Sequence, residues 1–263
     1  MKRHRVYLLL LLLVLPAILR GEESKLLFNG KDLSGWTPIV RGHQFGEDPN
    51  GVFTVRNGMI RVSGEEYGGI ISDEEYSNFH LSLEFKWGEQ TFGQRESCAR
   101  DSGFLFHSTG EPGAFGGVWS CSYEANIIEG GVGDFWLVGD ETDGYSAASQ
   151  VRQVGKHRIF DPENGEQVKI TLHSCGPFRW RGFDPDWKDE KGFCGKNDIA
   201  QPGEWTKLEV IAAGDTAEFY VNGELVNRVT GLTTISGKFQ LQSEGAEIFY
   251  RNITLEPAET SCE

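Results

Sequence analysis

The strongest constraint on the fold is a stretch of nine residues, 79–87, in which apolar and polar side chains alternate without a break. Successive side chains of a β-strand point to opposite faces, so this period of two predicts a strand with one buried face. Residues 168–172 alternate in the same way. No stretch of 11 or more residues carries an apolar stripe at helical spacing, and only Ser72–Asn78 is predicted to form a helical turn. The chain is therefore predicted to be all-β.

Two Asn-Gly pairs mark β-hairpins. They lie near the centres of residues 52–62 and 219–226, and Asn-Gly is the strongest short-range signal for a two-residue hairpin turn. The 34 glycines, about 13% of the 263 residues, agree with many further tight turns. More strands are predicted at 103–107, 122–128, 135–138, 207–212, 238–242 and 247–255. Together they predict an antiparallel β-sandwich of two sheets, in a jelly-roll form whose concave sheet carries the ligand.

The N-terminal segment differs from the rest of the chain. Three of the first five residues are Lys or Arg, and Val6–Leu19 is an apolar run of 14 residues, which is too short to span a bilayer. This arrangement is typical of a signal peptide, so residues 1–21 are predicted to direct export to the periplasm or the extracellular space. The sequence before Gly21 is a poor cleavage site, which leaves an uncleaved anchor as the alternative. Residues 22–263 contain no linker and are predicted to form a single domain.

The net charge argues against two classes of partner. With 25 basic and 39 acidic residues the chain carries −14, which disfavours binding to nucleic acid and to anionic membrane surfaces. The six histidines lack zinc-binding spacing, and the acidic loops Asp140–Asp143 and Asp161–Glu166 lack the EF-hand pattern. No glycine-rich phosphate loop is present. No nucleotide cofactor is therefore predicted, and the requirement for a divalent metal is left open.

Five cysteines in an exported chain allow disulfides but leave one residue over. Cys175 and Cys194 enclose a long loop, and a bridge between them is the preferred pairing because it would hold that loop in place. Cys98 with Cys121 is the second choice, and Cys262 is then the free thiol. The spacing also permits a chain in which no cysteine pairs.

Eight sequence blocks form an ordered set that spans nearly the whole chain after the N-terminal segment. They are LLFNGKDLSGW (26–36), VFTVRNGMIRV (52–62), EEYSNFHLSLEFKW (74–87), RDSGFLFH (100–107), YEANIIE (123–129), PGEWTKLEV (202–210), FYVNGELV (219–226) and IFYRNITL (248–255). The set resembles the 3-keto-disaccharide hydrolase domain family. The resemblance implies a concanavalin A-like (laminarinase-like) jelly roll, which agrees with the strand prediction. It also implies action on glycosides whose sugar is oxidised at C3, so the expected partner is a saccharide or a 3-keto glycoside.

The reaction implied by the resemblance needs a base and an acid. A ketone at C3 acidifies the C2 proton, so a base can remove it, the C1 substituent can leave, and water can add back. In the block 123–129, Glu124 matches the family's Glu, whereas Asn126 and Glu129 replace its Gln and Asp. Glu124 and Asn126 fall on one face of an extended strand. We expect Glu124 and Glu129 to be catalytic and Asn126 to bind substrate; the alternative is a solvated sheet face.

Two further candidates come from the block 100–107. Alternation places Leu105 and His107 on the same side of the strand, where His107 would act as a general acid or base, or as a substrate ligand. A hydrogen-bonded structural histidine is the alternative. Asp101 occupies a position where the family often has Asn, and it is expected to orient a sugar hydroxyl or to cap the turn.

The remaining polar candidates lie towards the C-terminal end. After Leu-Gln the family shows Asp-His, but here Gln242 is followed by Ser243 and Glu244, so Glu244 would have to replace the histidine. Gln242 and Glu244 are both expected to contact substrate. Arg251 matches the family and is expected to hold a hydroxyl or a carboxylate, with pairing to a neighbouring acid as the alternative.

The predicted site is one cleft on the concave sheet. Its expected members are Glu124, Asn126, His107 and Arg251. A buried carboxylate is costly without donors, and the Arg and His side chains are the donors that the motifs offer. Trp119, or a tryptophan of the loop 176–193, is expected at the rim of the cleft, because aromatic faces suit sugar rings.

Two other functions fit the same fold. Glu124, Asn126 and Glu129 also match the Glu-x-Asp-x-x-Glu motif of laminarinase-like retaining glucanases, with Asn in place of the middle Asp. In that case both Glu side chains would reach one site only across a β-bulge. The other alternative is a non-catalytic carbohydrate-binding module, motivated by the missing Asp-His after Gln242 and by Thr206, where the family has Asn. It predicts saccharide binding without product formation.

Overall fold

Strands and tight turns account for almost all of the regular structure. The computed structural model describes residues 24–140, 144–174 and 176–258, and within them the chain forms eighteen strands and one 3₁₀ turn. The strands are β1 Lys25–Leu26, β2 Trp36–Val40, β3 Phe53–Arg56, β4 Met59–Val62, β5 Gly68–Ser72, β6 Phe79–Thr91, β7 Asp101–Thr109, β8 Cys121–Ile128, β9 Phe135–Val138, β10 Ser146–Val154, β11 His157–Phe160, β12 Glu166–Thr171, β13 Phe178–Arg179, β14 Thr206–Ala213, β15 Thr216–Val221, β16 Glu224–Val229, β17 Lys238–Ser243 and β18 Ala246–Pro257. The 3₁₀ turn, Gly93–Glu96, lies between β6 and β7.

The strands form two sheets. The eight-stranded sheet has the order β16-β15-β14-β6-β18-β4-β3, with β1 also paired to β18. The ten-stranded sheet has the order β12-β10-β11-β13-β9-β8-β7-β17-β5-β2. In the part of the chain that the structure describes, the strands pair antiparallel except for a parallel contact between β11 and β13. The prediction of an antiparallel jelly-roll sandwich is confirmed.

The hydrophobic core lies between the two sheets. The nine alternating residues 79–87 lie in β6, where each apolar member is at most 7% exposed and each polar member is more exposed. On the facing sheet, Tyr123, Ala125 and Ile127 of β8 belong to the same core. Burial of this apolar surface drives folding, at roughly 25 cal/mol per Å². Because one face of β8 fills the core, its other face is available for polar groups.

Both predicted Asn-Gly hairpins form. Asn57 and Gly58 connect β3 to β4 with φ of 52° and 75°, and Asn222 and Gly223 connect β15 to β16 with φ of 50° and 84°. Positive φ at both central residues is the type I′ geometry, whose twist matches that of the flanking strands. The six further predicted strands are present as β7, β8, β9, β14, β17 and β18.

The predicted helical turn at Ser72–Asn78 does not form. Instead, Tyr76 makes an antiparallel bridge with Gly237, and its ring stacks on Phe239 with the ring centroids 4.5 Å apart. These contacts with a distant part of the chain hold the segment extended. The helical turn that forms in the described residues is Gly93–Glu96.

The predicted disulfides are absent from the part of the chain that the structure describes. The Cys98 thiol is free and half-buried after the 3₁₀ turn, whereas Cys121 packs in the core between the sheets, so these two sulfurs do not meet. Cys194 is also a free thiol, so the preferred Cys175–Cys194 bridge is not formed. Cys175 itself and Cys262 lie outside the described residues.

The N-terminal segment cannot be compared with its prediction, because residues 1–21 lie outside the described residues. Within the described ranges, no helix has the length and apolar character needed to cross a membrane. Export therefore stays a prediction.

Candidate functional site

Alternation along three neighbouring strands brings polar side chains together on the outer face of the ten-stranded sheet. Phe104 of β7, Ala125 of β8 and Leu241 of β17 point into the core between the sheets. The residues that flank them in sequence therefore point outward. We call the polar cluster on this face and in the turn after β17 the acidic site, and its members are Asp101, Glu124, Asn126, Gln242 and Glu244.

Gly103 lies beneath the centre of the acidic site. A Cβ atom built on Gly103 would lie 2.2 Å from Oε1 of Glu124 and 2.2 Å from Oε1 of Gln242. These side chains come from β8 and β17, which flank β7, and they lean over residue 103 from either side. A glycine within a strand often marks such a close approach. Any larger residue here would displace both side chains.

Burial and mutual repulsion favour protonation of the acidic site. Glu124 is 6% exposed, and burial raises the pKa of its carboxyl well above the usual range, with further increases from the charges of Glu244 and Asp101. Burial likewise raises the pKa of Glu244, and the neighbouring Asp101 adds to that increase. Burial raises the pKa of Asp101 to about 6, although the charge of Arg95 opposes the shift. The three carboxyls therefore titrate as a coupled set in which at least one proton is readily held.

Arg95 is the counterion of the acidic site, and sequence reasoning missed it. It lies in the 3₁₀ turn before β7, and its side chain is 10% exposed. Its Nη2 lies 2.5 Å from Oδ2 of Asp101 and 3.9 Å from Oε2 of Glu244. Its Nη1 lies 3.5 Å from Oδ1 of Asp189. One buried guanidinium group thus lies within 4 Å of three carboxyl groups. No periodic pattern around residue 95 in the sequence marks Arg95 as a site residue.

Several polar atoms on this face have no protein partner. Oδ1 of Asn126 and Oε1 of Gln242 are buried acceptors without a donor, and Nε1 of Trp136 is a buried donor without an acceptor. Trp136 pairs with Glu124 across β8 and β9, so its ring shares the outer face. Buried polar atoms are nearly always satisfied, so such a group of atoms indicates a place for water or a polar ligand. A sugar hydroxyl both donates and accepts hydrogen bonds, so sugar hydroxyls match this mixture of donors and acceptors.

Trp119 lies at one end of the same face, on the loop between β7 and β8. Gln240 attaches this loop to the sheet: its Nε2 donates to the Val118 carbonyl at 2.7 Å, and its Oε1 accepts from the Ser120 amide at 3.3 Å. Gln240 precedes Gln242 by two residues and therefore points to the same face. Nε1 of Trp119 is buried without a partner. The loop that carries Trp119 is therefore attached to the sheet at Gln240, one outward-facing position from Gln242 of the acidic site.

His107 does not join the acidic site. A β-bulge late in β7 interrupts the pairing with β8, and His107 has a φ of 50°. The extra residue reverses the alternation, so the imidazole points into the core, edge-on to the rings of Phe79 and Tyr123 at centroid distances of 5.7 and 6.2 Å. Its Nδ1 lies 3.0 Å from the Thr234 carbonyl, and burial lowers the pKa of His107 to about 4. The prediction that it shares a side with Leu105 is wrong, and the structural alternative is observed.

Arg251 also lies away from the acidic site. It is on β18 in the eight-stranded sheet, on the face turned away from the core. Its Nε lies 2.6 Å from Oε2 of Glu84, and its guanidinium carbon lies 3.8 Å from the ring centre of Trp205. The core of the sandwich separates it from Glu124. The predicted convergence of Glu124, His107 and Arg251 is therefore wrong, and Arg251 pairs with a neighbouring acid, as in the alternative.

Glu129 is engaged by the protein itself. It is 4% exposed, and its carboxylate accepts from the Arg100 amide at 2.9 Å, from Nη1 of Arg100 at 2.7 Å and from the Gly192 amide at 2.8 Å. The pairing of β8 with β7 is regular through residues 123–128, so no bulge turns Glu124 and Glu129 to one face. The pair of carboxyls about 5–5.5 Å apart that a retaining glucanase needs is not formed. Glu129 holds the loop at residue 192 and is not placed for the predicted catalytic role.

The acidic site offers oxygen ligands. Carboxylate and amide oxygens such as those of Asp101, Glu124 and Gln242 suit hard cations. Among the described residues, however, no group of three or more His, Cys, Asp or Glu side chains is placed to hold a metal ion. No step of the reaction is therefore assigned to a metal ion.

Comparison with known proteins identifies relatives of the chain. The sequence model of one protein family, the 3-keto-alpha-glucoside-1,2-lyase-like domain, matches residues 23–256 of this chain. Among solved structures, a candidate glycosyl hydrolase from Parabacteroides distasonis has a TM-score of 0.52 at 20% identity, covering 90% of this chain and 94% of that chain. A second candidate glycosyl hydrolase from the same organism has a TM-score of 0.50 at 18% identity, covering 89% and 98% of the respective chains.

The chain also resembles a carbohydrate-binding module in its fold, and its family follows from the sequence match. The carbohydrate binding module CBM66 from Bacillus subtilis has a TM-score of 0.49 at 16% identity, covering 84% of this chain and 95% of that chain. No curated protein matches the chain. At 20% and 18% identity, the two candidate glycosyl hydrolases show a shared fold alone. The family model, in contrast, covers most of the sequence, and the chain therefore belongs to the 3-keto-alpha-glucoside-1,2-lyase-like domain family.

Proposed function

We propose that the protein is an enzyme that cleaves α-glucosides carrying a ketone at C3, by elimination followed by hydration. The observation that carries the proposal is the carboxyl of Glu124, which is 6% exposed and lies beside two further carboxyls on the outer face of the ten-stranded sheet. Membership of the 3-keto-alpha-glucoside-1,2-lyase-like family supports the substrate class.

The first step is removal of the C2 proton. The C3 ketone acidifies this proton, because the electron pair left on C2 spreads onto the ketone oxygen as an enolate. Glu124 takes the proton in its carboxylate form, and its raised pKa makes that carboxylate a stronger base than one in water. The unpartnered Nε1 of Trp136 donates to the enolate oxygen, and the amide groups of Asn126 and Gln242 hold sugar hydroxyls.

Elimination follows. The enolate re-forms the ketone while a double bond forms between C1 and C2, and the bond from C1 to the glycosidic oxygen breaks with its electron pair on that oxygen. The leaving oxygen takes a proton from Asp101 and Glu244, whose carboxyls hydrogen-bond to each other. Because burial raises the pKa of both carboxyls, this pair retains a proton more readily than two carboxyls in water do. Arg95 balances the carboxylate charge that remains.

Hydration completes the cycle. The oxygen of a water molecule bonds to C1, and the proton that the water releases returns to the Asp101–Glu244 pair. C2 takes back the proton held by Glu124. The sum is hydrolysis to a 3-keto sugar and the released alcohol or second sugar, with each catalytic group in its starting state.

We propose further that the enzyme works outside the cytoplasm. The support is the basic start of the chain and the apolar run Val6–Leu19, which together have the pattern of a signal peptide. Fractionation of cells that express the full chain tests this proposal. Recovery of the protein in the cytoplasmic fraction alone would contradict it.

The test of the reaction is incubation of the purified protein with 3-keto-trehalose in D₂O. We expect release of glucose and of 3-keto-glucose that carries deuterium at C2, because the proton removed from C2 exchanges before it returns. Glu124→Gln keeps the shape of the side chain and removes the base, so the rate should fall by about 10²–10⁴-fold. The matched control is Glu129→Gln, which changes a carboxyl outside the acidic site.

Two results would distinguish the alternatives. Saccharide binding without cleavage, with and without added Mg²⁺ or Mn²⁺, would contradict the enzyme and favour a carbohydrate-binding module. Cleavage of unoxidised trehalose or laminarin without deuterium at C2 would indicate displacement at C1, which is the chemistry of a glucanase.

A further inference from the structure

A depression lies on the other side of the molecule from the acidic site. It is on the outer face of the eight-stranded sheet, has a volume of about 850 Å³, and is lined by β4, β6 and β18 together with the β3–β4 turn and Pro202–Gly203. Ligand sites commonly measure about 300–1,000 Å³. None of its lining residues belongs to the acidic site.

The depression is rich in cations, although the chain as a whole carries −14. Four cationic side chains line it, and we call them the basic groove: Arg56, Arg61, Lys86 and Arg100. Two carboxylates, Glu89 and Glu247, line it as well. The groove therefore carries a net positive charge in an acidic protein, which is the electrostatic condition for binding an anion.

Two of these cations are held in place by ion pairs. Nε of Arg61 donates to Oε1 of Glu247 at 2.7 Å, and both side chains are 11% exposed. Nη1 of Arg100 donates to Oε1 of Glu129 at 2.7 Å, while Nε of Arg100 is buried without a partner. Guanidinium groups that are already ordered lose little rotamer freedom when a ligand binds.

The other two cations have no carboxylate partner within the described residues. Arg56 is exposed at the β3–β4 turn, and Lys86 is half-buried on β6. Nζ of Lys86 lies 5.2 Å from the ring centre of Trp205, and a cation–π contact of this kind positions the ammonium without neutralising it. Arg56 and Lys86 can therefore pair with the charge of a ligand.

We propose that the basic groove binds a carboxylated oligosaccharide, one that contains uronic acids, at a site separate from the acidic site and independent of the proposed reaction. Carboxylates form charge-assisted hydrogen bonds with the cations of Arg56 and Lys86. Apolar side chains in the same lining, Met59 and Phe249, can contact sugar rings. The overall charge of −14 opposes duplex nucleic acid, which carries one phosphate charge per about 1.7 Å and so more charge per unit length than a sugar chain with one carboxylate per residue.

Calorimetric titration of the purified protein tests the proposal, with tetragalacturonate as the probe and maltotetraose as a neutral probe of equal length. We expect tetragalacturonate to bind more tightly than maltotetraose, and its affinity to fall as NaCl is raised from about 20 to about 300 mM. Arg56→Gln with Lys86→Gln should weaken binding at least about tenfold, or about 1.4 kcal/mol. The matched control is Lys31→Gln with Lys156→Gln, which removes two exposed lysines outside the groove and should leave the affinity unchanged.

Three outcomes would overturn the proposal: equal losses in the two double variants, equal affinity for the neutral probe, or no binding of tetragalacturonate at millimolar concentration. Circular dichroism of both double variants checks that they fold. Cleavage of 3-keto-trehalose should be unchanged in the groove variant, so failure of the groove and failure of the proposed reaction are separate results.

Discussion

The Oε1 atoms of Glu124 and Gln242 meet over Gly103, each 2.2 Å from the point where a Cβ of residue 103 would lie. The two oxygens are therefore within twice that distance of each other. Both oxygens are hydrogen-bond acceptors while Glu124 is ionised. They can therefore be linked only by a proton on Glu124 or by a hydrogen-bond donor from a bound molecule. Burial, which raises the pKa of Glu124, favours the proton while no ligand is bound.

Gly103→Ala should remove activity while leaving the fold intact. The added methyl group would meet the far ends of the Glu124 and Gln242 side chains, which can swing away at low cost. We expect a loss of stability of about 2 kcal/mol or less and a loss of activity of about 10²-fold or more, because displaced catalytic groups lose their geometry. Thermal unfolding and the 3-keto-trehalose assay measure the two effects.

Gly69→Ala is the matched control for this variant. Gly69 is also a strand glycine on the outer face of the same sheet, and its Cβ would lie 2.3 Å from Nε2 of Gln240, which is outside the acidic site. Its stability should fall by a similar amount with much less effect on activity. Equal losses of activity in both variants would show that crowding of this face alone explains the result.

Glu124→Gln and Glu129→Gln should have opposite effects on stability, and only Glu124→Gln should remove activity. A buried acid whose pKa is raised on folding makes the folded state bind more protons than the unfolded state, so its contribution to stability is lost as pH rises through the folded pKa. Glu124→Gln should therefore be more stable than the parent at pH 8, by about 1–3 kcal/mol, and the gain in stability should be smaller at pH 4. The same variant should be nearly inactive, because the base is removed.

Glu129→Gln should lose about 3 kcal/mol of stability because it breaks a buried ion pair with Arg100, yet it should keep the turnover number of the parent. Denaturant unfolding at the two pH values, together with kinetics, checks both.

Arg95→Met should destabilise the protein in a pH-dependent way. It leaves the carboxyls of Asp101 and Glu244 without their buried counterion, at a cost of about 3–5 kcal/mol at pH 8. Since Asp101 already has a pKa of about 6, the loss should be smaller at pH 5, where the Asp101 carboxyl is largely protonated. Arg181→Met, at an arginine that is 48% exposed and 3.9 Å from Glu163, should cost less than about 1 kcal/mol at either pH. A cost for Arg95→Met that does not change with pH would contradict its role as counterion.

His107 should make the fold sensitive to acid. Its pKa is lowered on folding from 6.5 to about 4, so the unfolded state binds the extra proton and stability is lost as pH falls from about 6.5 towards 4, by about 3 kcal/mol in total. His107→Asn, in which Asn tolerates the φ of 50°, should flatten the stability profile over this range. His43→Asn, at a histidine that is 27% exposed, is the matched control for the exchange of histidine for asparagine.

The fold could be predicted because the relevant patterns are local. Alternation over 79–87 and the two Asn-Gly turns depend on neighbours in sequence, and these elements formed as expected. The strand Gly68–Ser72 was missed because all five of its residues are buried, so it shows no alternation between polar and apolar side chains. Trp36–Val40 was missed as well, and Pro38 at its centre removes one backbone donor from a strand at the edge of its sheet.

For the candidate site, the sequence by itself determined that Glu124 and Asn126 share a face, because β8 is regular and side chains alternate along it. The tertiary structure decided which groups meet them. Arg95 arrives from a 3₁₀ turn and Glu244 from the turn after β17, and both placements depend on the order of strands in the sheet. A bulge turned His107 into the core, since one extra residue inverts a period of two. Local periodicity sets the direction of a side chain relative to its own strand, whereas its partners come from contacts between residues far apart in sequence.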